Sequence, residues 1–178
     1  MTDDALPAPL AEHVETVRAE WIDRNGHMNL AYYMVIFDHG TDALLDALGI
    51  GEAYSAATNG TIFAAEAHLL YRQELHAGEA ARVRSWLLGA DAKRLHILHE
   101  MVRDADGAPI AVNELLGLHV DMASRRVAPF PADRAAVLAA AAAPWRDRSL
   151  PEGAGRRISL ERQDRTRQTR ELQTPEGG

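Results

Sequence analysis

The sequence predicts an α+β fold in which one antiparallel sheet wraps around a single long central helix. Two observations predict it. The run "NLAYYMVIFDHGTDALLDALG" carries apolar residues at mostly helical spacing, with few charges in its first half. Such a helix suits enclosure on most of its sides. Four later segments read as strands, and the breaks between them, "HAG", "AD" and "ADGA", are short enough for hairpins. A sheet covering the helix satisfies the apolar faces of both.

The elements follow in order. Residues 1–12 form a loose, acidic, proline-bearing start. From His13 to about Trp21, "HVETVRAEW" alternates imperfectly and reads as a strand. Asn29 is placed to cap the helix, because its side chain can accept from the free amides of the first turn. Leu30, Tyr33, Met34, Phe37, Ala43, Leu44, Leu45 and Leu48 then mark the apolar face, and Gly49 and Gly51 stop the helix. After a loop, "EAYSAATNG", the four strands are expected at 61–75, 79–90, 93–104 and 109–122. "SRRVAPFP" turns the chain, and "ADRAAVLAAAAAPW" is an alanine-rich helix ended by Pro144. Residues 13–145 thus make the folded domain. The tail, 146–178, holds few large apolar residues and is expected to be disordered or loosely attached. A sheet with open edges and few layers favours pairing with a second subunit, as a homodimer or a dimer of dimers.

The 178 residues suit one domain with a real core. Cysteine is absent, which excludes disulfides and thiolate chemistry and fits a cytoplasmic protein. The start "MTDDALPAPL" has no basic region, so no signal peptide is expected. No apolar run approaches the roughly 20 residues that span a bilayer. A net charge of −7 argues against a protein whose surface binds nucleic acid. Eight histidines invite a metal reading. His96 and His99, however, are three apart on a strand and point to opposite faces. No helical H-x-x-x-H pair occurs either, so no metal and no cofactor are expected.

Between the first strand and the long helix lies a polar knot: Asp23, Arg24, Asn25, Gly26, His27, Met28 and Asn29. The pattern D-R-N-G-H-M-N-x-x-Y-Y-x-x-x-F-D resembles the signature of the hotdog-fold acyl-CoA thioesterases of the 4-hydroxybenzoyl-CoA thioesterase type. The resemblance covers roughly residues 13–135. "GHMNLAYYMVIFDHGTD", "EAHLLYRQELHAGE", "DAKRLHILHEM", "NELLGLHVD" and "RRVAPFP" together are similar to the betainyl-CoA thioesterase branch, including the thioesterase domain fused to some L-carnitine dehydrogenases. One departure is Leu30, where many relatives have a second Asn.

The resemblance implies a hotdog fold and cofactor-free hydrolysis of an acyl-CoA thioester, and the residues can do that chemistry. Asp23 can act as general base or as nucleophile. Backbone amides near Asn29 and Leu30, at the positive end of the helix dipole, can hold the carbonyl oxygen. Gly26 lets the loop turn tightly. His27 and Asn25 can orient Asp23 or water. Asp23 as a plain turn residue and Asn29 as a plain cap are the structural alternatives.

A betainyl group carries a trimethylammonium, which aromatic faces and carboxylates hold. The candidates are Trp21, Tyr32, Tyr33, Phe37, Tyr71 and Trp86, with Glu66 as counter-charge; for each aromatic alone, ordinary core is the alternative. Glu66 and His68, two apart on a strand, share a face with Ile62, Ala64 and Leu70, either at the substrate or as a pair at a dimer seam. Lys93 and Arg94 are candidates for the phosphates of coenzyme A. The competing functions are a generic short-chain or aromatic acyl-CoA thioesterase and a non-catalytic acyl-CoA-binding protein. A dehydratase is disfavoured, since no His-Phe-Pro-Gly type motif is present.

Overall fold

The computed structural model describes residues 6–160. Strand β1 (Ala11–Thr16) leads through a 3-10 turn (Ala19–Trp21) and the polar loop into α1 (Leu30–Ala47). A short helix α2 (Glu52–Thr58) precedes β2 (Gly60–Tyr71), β3 (Ala80–Ala90), β4 (Arg94–Arg103) and β5 (Pro109–Asp121). A short β6 (Arg126–Val127) and α3 (Ala132–Ala142) follow, and a 3-10 turn (Ala143–Trp145) is the last regular element among the described residues. The strands form an antiparallel sheet in the order β1-β3-β4-β5-β2, with β6 beside β5.

The predicted sheet-and-helix architecture is present. The differences lie at element edges. The first strand begins at Ala11 and stops at Thr16, because Ala19–Trp21 coil into a 3-10 turn. The stretch expected as a loop after Gly51 contains α2, whose seven residues are too few to show a clear periodicity. The tail expectation divides at residue 160. Pro151 and Gly153 are buried, Ala154 packs on the sheet, and the Gly155 amide donates to Glu114 Oε2 at 2.7 Å. Residues 161–178 lie outside the described residues.

The sheet has two clothed faces. On the inner face, Tyr33, Ile36 and Phe37 of α1 pack with Ala81, Val83, Met101 and Ala111, while Leu44 and Leu48 pack with Leu87, Leu95, Ile97 and Leu115. Gly40 permits the close approach: a Cβ there would stand 2.7 Å from Val83 Cγ1. On the outer face, Trp86, Leu98, Val112 and Trp145 form a separate cluster with Leu70 and Ala154. Helix α3 contributes Leu138 to an inner cluster and Trp145 follows in the outer one, so this segment carries the chain around to the second face.

A row of polar side chains crosses the inner face beneath α1. Ser85, His99 and Asn113 stand opposite one another on β3, β4 and β5, and all are buried. The Thr41 hydroxyl donates to Phe37 O at 2.9 Å and lies 3.1 Å from His99 Nε2. Ser85 Oγ lies 2.8 Å from His99 Nδ1. A neutral imidazole that donates to Thr41 and accepts from Ser85 satisfies those three side chains, while the buried Asn113 Oδ1 has no partner among the described residues. Complete burial holds the His99 pKa down at about 3, from an ordinary 6.5.

Candidate active site

The polar knot is a compact turn built on its own backbone. Ile22 pairs with Met28 as a bridge, the Asp23 amide donates to His27 O, and the Gly26 amide donates to Asp23 O. Gly26 has φ +84°, a left-handed conformation that glycine adopts without a Cβ penalty. The Asn25 amide donates to Asp23 Oδ1 at 2.8 Å. Asp23 Oδ2 has no partner among the described residues, and the side chain is only partly covered. Asn25 therefore orients Asp23 through its backbone, and His27 does so through its carbonyl. The His27 ring instead turns its Nδ1 to Met28 O, 3.3 Å away.

The helix start is anchored from several sides. Asn29 caps it, accepting from the Ala31 amide at 3.0 Å, while the Asn29 amide donates to Trp21 O. Of the two amides expected to face a carbonyl oxygen, Asn29's is thus engaged. Leu30's donates to no group among the described residues. It sits at the positive end of an 18-residue helix, where an unpaired N–H is the donor an oxyanion needs. His76 was not foreseen. Its Nδ1 donates to Gly26 O at 3.0 Å, pinning the turn from the β2–β3 connection.

Four of the expected aromatics meet here. Trp21 stacks on Tyr32 at 5.0 Å, and Tyr33 meets Tyr71 edge-on at 5.2 Å. The Tyr71 hydroxyl donates to Leu30 O at 3.2 Å, tying β2 to the first turn of α1. Burial pushes the phenol pKa values of Tyr33 and Tyr71 up, so both remain protonated donors. The Arg18 guanidinium lies over the Trp21 ring at 4.9 Å. Arg24 is exposed immediately beside Asp23.

The other expected residues stand elsewhere in the chain. Phe37 is fully enclosed in the core, in contact with His99. Trp86 belongs to the outer cluster, and its indole N–H donates to Pro7 O. Lys93 and Arg94 lie at the β3–β4 turn, near the end of α1 rather than its start, and Arg94 is paired with Asp91 at 2.6 Å. Eighteen helical residues separate the two ends by about 27 Å. Glu66 and His68 share a face with Leu70, as expected, but not with Ile62 and Ala64. The reason is a β-bulge: Ala64 pairs with Gly117 and Glu66 with Leu116, which leaves Ala65 as an extra residue and reverses the alternation. Glu66 and His68 consequently line an outer groove of about 670 Å³ with His96, Glu114, Arg156 and Ile158. Burial alone would raise the Glu114 pKa, but His96 at 2.7 Å and the Gly155 amide hold it below the usual range.

The carboxylate, the free amide and the aromatic set around one helix start can together do the chemistry of thioester hydrolysis. Residues 17–141 match the model of the thioesterase-like superfamily. The chain is 37% identical to the betainyl-CoA thioesterase of Pseudomonas aeruginosa, covering 85% of this chain and 95% of that one. It is 34% identical to an L-carnitine dehydrogenase/betainyl-CoA thioesterase of Rhizobium meliloti, covering 82% of this chain and 29% of that longer one. Among solved structures, it resembles the Staphylococcus aureus protein SAV2348, solved in complex with CoA, with a TM-score of 0.77 and 27% identity over 89% of this chain and all of that one. It shares the fold of the 1,4-dihydroxy-2-naphthoyl-CoA thioesterase Slr0204 from Synechocystis, at a TM-score of 0.63 and 13% identity over 72% of this chain and 94% of that one. With the family model spanning nearly all of the folded region and the curled sheet closed over α1, this chain belongs to the thioesterase-like superfamily and has its hotdog fold.

Proposed function

We propose that the protein hydrolyses betainyl-CoA to glycine betaine and CoA at the start of α1. The observation that carries this reading is the convergence of Asp23, the unpaired Leu30 amide and the aromatic cluster on one helix terminus, in a chain similar to betainyl-CoA thioesterases. Asp23 Oδ2 takes a proton from water as the water oxygen attacks the thioester carbonyl carbon. The carbonyl oxygen gains the charge and is held by the Leu30 amide in the helix dipole. Collapse breaks the C–S bond, and the proton leaves with the CoA thiolate. Direct attack by Asp23, with a mixed anhydride then opened by water, uses the same geometry. Tyr32 and Tyr71, backed by the buried Trp21 and Tyr33, offer ring faces to the trimethylammonium, which has no hydrogen to donate. Arg24 and Arg18, at the mouth of the site, supply positive charge for the CoA phosphates in place of Lys93 and Arg94.

A thiol-release assay comparing betainyl-CoA with the neutral isostere 3,3-dimethylbutanoyl-CoA tests the substrate. A desolvated cation–π site is worth about 2 kcal/mol or more, so kcat/KM should favour the cation by roughly 30-fold. Equal turnover of the two would leave a generic short-chain thioesterase. Tight binding with no thiol release would leave a binding protein.

The active form is proposed to be a dimer paired through β2. That strand has β5 on one side and no strand on the other among the described residues, and Phe63 to Ala67 are exposed along it. Leu30, Met34 and Val35 of α1 are exposed apolar residues, and Tyr71 joins β2 to their end of the helix. An unpaired edge beside an apolar strip invites a second copy. Light scattering at micromolar concentration should give twice the chain mass of 19.5 kDa. A stable, fully active monomer would contradict the assembly.

A further inference from the structure

Away from the helix start, a second group of chemically competent side chains joins β1 to the middle of α1. His13 and Glu15 are two apart on β1 and so project from one face. His39 approaches the same point from α1. Glu15 Oε2 lies 2.6 Å from His39 Nδ1 and 3.2 Å from His13 Nε2, and all three atoms lie within 4.8 Å of one another. The His13 and His39 rings are 5.7 Å apart at 72°, so their nitrogens converge on one oxygen instead of stacking. The group is sheltered without being sealed. Side-chain exposure is 13% for Glu15, 29% for His13 and 41% for His39.

We propose that His13, Glu15 and His39 form a binding site for a divalent transition metal of the zinc class, with an open position toward solvent. Two imidazoles and one carboxylate are a recurrent donor set for such ions. Bonds of about 2.0–2.1 Å at tetrahedral angles place donor atoms about 3.4 Å apart. The 2.6 Å and 3.2 Å contacts need only small outward adjustments to reach that spacing. The remaining ring nitrogens, His13 Nδ1 and His39 Nε2, have no partner among the described residues. Either ring can therefore take the tautomer that turns a lone pair inward and leaves its proton outside. Arg18 approaches the other carboxylate oxygen, Oε1, at 3.4 Å, and leaves Oε2 to the metal. Asp38 and Asp42 flank His39 on α1 and add negative charge nearby. Position 39 is nine residues beyond Leu30, about 13 Å along the helix. The metal is thus a clamp between the first strand and α1, apart from the hydrolytic site.

The test is calorimetric titration of the untagged full-length chain with Zn²⁺. Wild type should bind one ion per chain and gain thermal stability. Glu15→Gln and His39→Asn should each weaken binding by at least about tenfold, which even changes outside the ligand shell commonly produce. Co²⁺ should give a visible absorption band that His39→Asn removes. Binding absent in wild type at about 100 µM Zn²⁺, or unchanged in both variants, overturns the site. If a variant fails to fold, imidazole ¹⁵N spectra of wild type decide. Zn²⁺ should move His13 and His39, and shifts confined to His68, His76 or His96 place the ion elsewhere and overturn the proposal.

Discussion

Replacing Asp23 by asparagine is expected to lower kcat by about 10²–10⁴-fold, the range set by loss of a general base, while the fold stays intact. The fold should survive because the residue's structural work is done by groups asparagine retains. Its amide donates to His27 O, its carbonyl accepts from Gly26, and an amide oxygen can replace Oδ1 in accepting from Asn25. What asparagine lacks is the ability to take a proton or attack a thioester. Melting temperature and circular dichroism should match wild type while thiol release collapses. Turnover within about threefold of wild type, under 1 kcal/mol in barrier, would remove Asp23 from the mechanism and leave it a turn residue.

The second large effect is on stability in acid. His99 is completely buried among Ser85, Thr41, Phe37 and Asn113, none of which carries charge. In the unfolded chain its imidazole charges below 6.5, but in the fold only near 3. Protons therefore favour the unfolded chain between those values. Its contribution is complete above pH 6.5 and declines by about 1.4 kcal/mol per pH unit as pH falls. At pH 4.5 the loss is about 3 kcal/mol, roughly 100-fold in the folding equilibrium. Several carboxylates, Asp91 and Glu114 among them, have lowered values and add their own losses at still lower pH. The difference between wild type and His99→Gln isolates the histidine. Urea unfolding at pH 7 and pH 5 should show a shallower pH slope in the variant, even though unpairing Ser85 and Thr41 weakens it at both. Parallel slopes would mean that His99 is already open to solvent.

The long helix and its cap were legible because they depend on neighbours in sequence. Asn29, the first-turn apolar residues and the glycines lie within one segment. The strands were legible for the same reason, since short polar breaks separate apolar runs. What escaped depends on partners across the sheet. Nothing in "TIFAAEAHLLY" marks Ala65 as the extra residue; only the register against Gly117 and Leu116 does. Glu66 therefore faces the outer groove with His68 and Leu70, away from Ile62 and Ala64. Lys93 and Arg94 were credible phosphate ligands until topology put their turn at the far end of α1. The Asn29 amide was offered to substrate because its acceptor, Trp21 O, lies across the loop. The first part of the tail has few apolar side chains, but Gly153 lies flat against Val112 and Gly155 bonds through its backbone. Composition does not register contacts of that kind. The His13–Glu15–His39 group joins residues 24 apart, a spacing no short ligand motif covers.

The bulge at Ala65 bears on how this strand can change over generations. Substitutions along β2 are local events, each felt at one side chain. A deletion within the paired ladder is different, because it shifts the alternation of every residue beyond it. Residue 65 is the exception. Ala64 and Glu66 already oppose the adjacent Gly117 and Leu116, so losing Ala65 removes the bulge and leaves Glu66, His68 and Leu70 on one side and Ala67, Leu69 and Tyr71 on the other. The tyrosine that holds the helix start keeps its side. The bulge is therefore slack in the chain, and lineages of this protein should tolerate a missing residue at 65 more readily than at any neighbouring position of the strand.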